Sequence, residues 1–323
     1  MTDVASARTR PPAPTTVSAQ AQEHLDAPSP FDGLSGPPPL DDLEGWQRFI
    51  DGRNAGIRMY LEQRLPPEDA LVRRAVELDG VRTYVLRPSD LDRDGELPIF
   101  LDLHGGGLVL CEGDIAWMMS ARRALGREGL TWVPDFRNPP NHPYPAALDD
   151  CLAVYRSALG HRPAERIIVF GESGGANLAA ATLLRARDEG LPMPAGLVLL
   201  TPQLDLTQAG DSHRTNDGID YLDRPTLQQQ SLLYAAGHDL SHPYLSPLYG
   251  DVTGFPPTFL QAGTRDLLLS NAVVMHRRLL AAGVEAELHI FEAMPHGSFG
   301  GETPEDLDLV ASVERFEHRH LQC

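Results

Sequence analysis

The sequence predicts an α/β fold: a mainly parallel central sheet flanked by helices, with a helical cap. Short apolar runs of strand length alternate with longer segments of helical period from residue 98 to the end of the chain, the order that right-handed crossovers and a sheet covered on both faces require. A strandless, polar interval over 204–249 interrupts that alternation and is assigned to a cap. With 323 residues, 42% of them hydrophobic, the chain has enough apolar material to bury one large core.

Residues 1–40 are rich in Pro, Ala, Ser and Thr and poor in large apolar side chains. Such a stretch buries too little surface to offset the entropy of ordering and is expected to be a flexible tail. The rest, 41–323, is read as one domain. Apolar residues from Leu43 to Leu65, among them Trp46, Phe49, Ile50 and Ile57, recur at helical spacing until Pro66 and Pro67 stop them, so 41–70 is a first cap element and 204–249 a second. Strands are predicted over Val81–Leu86, Pro98–Leu103 and Leu130–Val133. A helix over Ala146–Leu159 then precedes a strand at Ile167–Phe170, and a helix over Ala176–Asp188 precedes Gly196–Leu200. Beyond the second cap element come a strand at Thr258–Gln261, a helix over Asn271–Ala282 closed by Gly283, a strand at Glu287–Phe291 and a last helix near Pro304–Leu321.

Charge narrows the chemistry. The net charge is -18, and all 27 basic residues are arginine. Without lysine there is no Schiff base, Walker lysine or Ser-Lys catalysis. An acidic chain also lacks the cationic surface that nucleic acid or an anionic membrane needs, so the expected partner is a small molecule. Cys111, Cys151 and Cys323 lie far apart, with neither a disulfide framework nor a metal-ligand spacing. No leader-like segment and no run of about 20 apolar residues is present, which predicts a cytoplasmic protein without membrane insertion.

The strand Ile167–Phe170 runs into Gly171-Glu172-Ser173-Gly174-Gly175 and then a helix. A Gly-x-Ser-x-Gly turn between strand and helix exposes a nucleophilic serine above a sheet; the competing reading makes Ser173 a helix N-cap. Serine needs a base, and His296 in Met294-Pro295-His296-Gly297 follows the last predicted strand. The imidazole needs a carboxylate to orient it. Asp266, in the loop after Thr258–Gln261, is the candidate, with Glu292 the weaker rival. An oxyanion hole needs backbone N–H groups free of side-chain obstruction. His104-Gly105-Gly106-Gly107 follows an N-terminal strand, so Gly106, Gly107 and Gly174 are the candidate donors, while His104 orders the loop. Together these residues predict a serine hydrolase with Ser173 as nucleophile.

On these motifs, with Asp135–Arg137, His142–Asp150 and Ser246-Pro247-Leu248, the chain from about Leu43 onward resembles the hormone-sensitive-lipase-like, HGGG-motif esterases of the α/β-hydrolase superfamily. The resemblance implies an α/β-hydrolase catalytic domain, carboxylesterase activity on a small-molecule ester, no cofactor, an N-terminal helical cap and, in many members, a homodimer. Three positions depart from the pattern. Leu108 stands where an aromatic residue is usual, Glu172 where aspartate is usual, and Leu267 where proline is common. A lactonase, amidase or acyl-transfer enzyme for a bulky natural product remains an alternative, with Tyr221, Tyr234, His238 and Tyr244 as candidate pocket residues. So does a non-hydrolytic dehydratase or ligand receptor on the same fold.

Overall fold

In the computed structural model, which describes residues 10–28, 35–91 and 97–321, helices α1 (Ala19–Asp26) and α2 (Leu43–Glu62) precede the sheet. The strands β1 (Leu71–Leu78), β2 (Val81–Pro88) and β3 (Ile99–Leu103) follow, then α3 (Asp114–Leu125), β4 (Leu130–Pro134) and α4 (Ala146–His161). The centre of the sheet is completed by β5 (Ile167–Glu172), α5 (Gly174–Asp188) and β6 (Gly196–Leu200). Short α6 (Ser212–Thr215) and α7 (Arg224–Ala235) lie within 204–249. The chain closes with β7 (Thr258–Gly263), α8 (Leu269–Ala281), β8 (Ala286–Phe291) and α9 (Pro304–His320).

The eight strands lie in the order β1-β2-β4-β3-β5-β6-β7-β8. The first two run antiparallel to each other, β2 runs antiparallel to β4, and every other pair is parallel. Alternation along each central strand sorts side chains to the two faces. Ile99, Leu101, Ile167 and Val169 join the core beneath α4, α5 and α8, whereas Phe100, Ile168 and Phe170 meet Leu309, Val313 and Phe316 of α9. Because the strand order reverses between β3 and β5, the connections that leave their carboxyl ends turn to opposite sides of the sheet, the place where open α/β sheets bind ligands in a crevice.

The sequence reading and the structure differ in three places. Residues 10–28, expected in a flexible tail, are ordered against the body. Val17 and Ala21 are buried with Ala293, Met294 and Phe299, and the Ser18 N–H and hydroxyl both donate to Glu305 at 2.7 Å. Average composition concealed a few apolar residues spaced to fit one wall. Two other stretches of the expected tail, 1–9 and 29–34, lie outside the described residues, as does Cys323. Strand β1 was missed because its side chains are largely exposed on both faces, so it has no apolar period. Helix α3, 12 residues long, is likewise absent from the sequence reading. Among the described residues no helix is long and apolar enough to cross a membrane.

Candidate active site

Four strand ends build one site. At the end of β5 the chain turns within a single residue, and Ser173 takes φ 55° and ψ -119°, a region costly for a residue with a side chain. The turn closes only because its flanking positions are bare: a Cβ on Gly175 would stand 2.0 Å from the Leu103 carbonyl oxygen. Although Ser173 occupies the N-cap position of α5, its side chain caps nothing. Its Oγ instead lies 2.9 Å from His296 Nε2.

His296 comes from the loop after β8, and its Nδ1 lies 3.1 Å from Asp266 Oδ1, in the loop after β7. The same oxygen accepts the Leu268 N–H at 2.8 Å, while Asp266 is fully buried. Burial disfavours a charged imidazole, but Asp266, by its charge and its hydrogen bond, followed by Asp220 and Glu172, outweighs it, and the His296 pKa stands above its ordinary 6.5. The rival Glu292 is exposed.

Across the crevice, the loop after β3 carries Gly106 at φ +126° and Gly107 at φ +62°. A Cβ at Gly106 would fall 2.7 Å from the Leu110 carbonyl oxygen, so glycine is required there both sterically and conformationally. The N–H groups of Gly106, Gly107 and Gly174 engage no acceptor among the described residues. Gly174 begins the 15-residue α5, whose N-terminal partial positive charge favours a developing anion. His104 is buried, stacked at 4.1 Å on Phe136, with Nδ1 2.8 Å from the Gly105 carbonyl. Burial lowers its pKa to about 4, so it stays neutral and braces the loop.

Glu172 binds Arg123 at 3.1 Å, and that guanidinium also grips the buried Asp102 at 2.9 Å. A cleft of about 440 Å³ opens beside the site between α2, α3 and α9. Leu61, Met118, Met119, Leu309 and Val313 form much of its wall, and Glu172, Gly297 and Ser298, neighbours of Ser173 and His296, lie along it. The other aromatic candidates serve elsewhere. Tyr234 is core, Tyr244 donates its hydroxyl to Asp188, Tyr221 donates its hydroxyl to the His24 carbonyl, and His238 packs edge-on against Tyr144. Cys111 is buried beyond the glycine loop, and burial pushes its thiol up to about 12.

One residue of the site had no sequence signal. Asp220, in the loop after α6, is buried, and a carboxylate oxygen of it lies within 4.8 Å of an Asp266 carboxylate oxygen and a His296 ring nitrogen. These three are the described residues grouped closely enough to hold a cation. However, Asp220 already accepts backbone N–H groups on both oxygens, and His296 Nε2 faces Ser173.

A family profile described as alpha/beta hydrolase fold matches residues 100–300. An acetyl-hydrolase of Streptomyces hygroscopicus is 34% identical over 206 residues, 63% of this chain and 68% of that protein. The crystal structure of esterase E25 superposes with a TM-score of 0.85 at 32% identity, covering 98% of each chain. A hormone-sensitive lipase from a metagenome library superposes at 0.81 with 30% identity, covering 94% of this chain and 98% of that one.

Proposed function

Since the chain belongs to the α/β-hydrolase fold family, within its hormone-sensitive-lipase-like esterase branch, we propose that it hydrolyses a small carboxylic ester through an acyl-enzyme on Ser173. The observation that carries this reading is the continuous line of hydrogen bonds from Ser173 Oγ through His296 to Asp266, at 2.9 and 3.1 Å.

In this mechanism His296 Nε2 takes the hydroxyl proton as Oγ attacks the ester carbonyl. The three glycine N–H groups receive the oxyanion, and the fixed donors need no reorganisation as charge develops. Asp266 keeps the Nδ1–H tautomer and stabilises the imidazolium. His296 then protonates the leaving alcohol, and water repeats the sequence on the acyl-enzyme. The cleft that reaches Glu172, Gly297 and Ser298, near Ser173 and His296 in sequence, is the candidate acyl pocket, and its apolar stretch of Leu61, Met118 and Met119 favours a neutral, moderately sized ester.

Hydrolysis of a p-nitrophenyl acyl series by the native protein and by Ser173→Ala tests the proposal. Turnover by the native protein should fall by about 10⁴-fold or more in the variant, and the preferred acyl length measures the cleft. Undiminished turnover in the folded variant would remove Ser173 from the mechanism.

A further inference from the structure

The carboxylate of Asp220 joins two loops that the proposed mechanism needs in register. Its Oδ1 accepts the His296 backbone N–H at 2.9 Å and the Tyr221 N–H at 2.7 Å; its Oδ2 accepts the Leu267 N–H at 2.6 Å. Leu267 follows Asp266 directly, so one side chain fastens the backbone bearing the imidazole to the backbone bearing its carboxylate partner. Proline at 267 would have no N–H to give, and in this chain the position carries Leu with its donor used. Asp266 Oδ2 is buried without a hydrogen-bond partner, so the second carboxylate stands beside an anion that is only half satisfied. Two buried negative charges close to one another are costly, and the arrangement holds because both face the same imidazole.

We propose that Asp220 is a positioning residue and a second counter-charge: it locks the His296 loop to the Asp266 loop and, with Asp266, stabilises the imidazolium formed during acyl transfer. This rests on the serine-hydrolase reading above. The charged and titratable groups around it are Asp266 from the loop after β7, His296 from the loop after β8, Glu172 across the imidazole, and Tyr221 on its own segment, with Arg10 over that ring and the charge of Arg265 also acting on it. Burial, then Asp266, raises Asp220 to about 6, against the opposing pull of His296 and the backbone donors. Its anion is therefore present at neutral pH and lost below about pH 6.

Asp220→Asn preserves shape and one acceptor but turns an amide N–H₂ toward the Leu267 N–H. In the folded variant kcat should fall by about tenfold with KM little changed, because an interaction realised in the transition state is lost. The acid limb of kcat/KM should also move to lower pH, because His296 loses a neighbouring negative charge. A residue that only supported the fold would lower thermal stability and leave the limb where it is, and an unmoved limb with native kcat overturns the inference. Should the variant not fold, the native enzyme decides. Just below about pH 6 its kcat/KM should fall more steeply than the slope of one that His296 alone gives, as both groups protonate, and a slope of one throughout contradicts the proposal. Ser173→Ala, run in parallel, keeps the two claims apart: full activity in that variant sinks the hydrolase reading, whereas its loss beside an unaffected Asp220→Asn sinks only the role of Asp220.

Discussion

Each residue of the proposed triad has its chemistry set by a local environment. Ser173 is held at positive φ with its hydroxyl turned toward His296 and away from its own helix. For His296, burial and three carboxylates compete, and the carboxylates win. The sign of the consequence follows. Catalysis needs the neutral imidazole, a raised pKa means that this form is lost at a higher pH as acid is added, and so the acid limb of kcat/KM should have its midpoint above 6.5. A profile measured on a neutral ester checks this, and a midpoint at or below 6.5 would show that burial outweighs the carboxylates. Ser173, His296 and Asp266 were legible in the sequence because each sits at the end of a strand next to a turn with a recognisable residue pattern. Asp220 was not, since the two loops it joins offer it backbone N–H groups 47 and 76 residues away in sequence, and a backbone donor leaves no mark on residue type.

At the scale of elements, the loop behind His296 depends on α9. The Asp306 carboxylate accepts the N–H groups of Phe299, Gly301, Glu302 and Thr303 at 2.8 to 3.1 Å, while Thr303 Oγ1 accepts the Asp306 N–H and completes a capping box. Asp306→Ala should therefore cost about 2–4 kcal/mol, because a cap is lost and several donors in a buried turn lose their acceptor. Urea unfolding would measure it, and kcat/KM should drop along with stability as Gly297 to Thr303 loosen. A change under about 0.5 kcal/mol, the size of an ordinary surface substitution, would contradict that assignment. The capped helix itself was predicted from its apolar period near Pro304–Leu321. Its grip on the active-site loop was not, because the motif Thr-x-x-Asp signals a helix start without saying what the preceding loop carries. Helix α1 shows the opposite failure. Its contacts lie on the His296 loop, through Met294 and Phe299, and a composition argument averaged over forty residues could not see them.

For the whole molecule, the sheet order brings distant segments together. The glycine loop, the elbow, Asp266 and His296 lie in a chain order spread over nearly two hundred residues, yet they leave β3, β5, β7 and β8 at the same edge because those strands are parallel. Alternation of strand and helix in the sequence was enough to anticipate this, since parallel pairing puts all carboxyl ends on one side. Strand β1 escaped because an edge strand, exposed on both faces, is free of the apolar pattern that burial imposes. A buried charge network gives the site a rigid back. Asp102 on β3 meets Arg123 of α3 and Arg127 just beyond that helix, and Arg127 reaches Glu317 of α9 at 2.9 Å. Arg123 carries the connection on to Glu172 beside Ser173, the proposed nucleophile. The account stands most directly on the identity of that nucleophile. Incubating the native protein with a fluorophosphonate and mapping the adduct by mass spectrometry should find one covalent modification, on Ser173, absent from Ser173→Ala and much slowed in His296→Ala. An adduct that persists in Ser173→Ala, or a folded native protein that takes up no label, would contradict it.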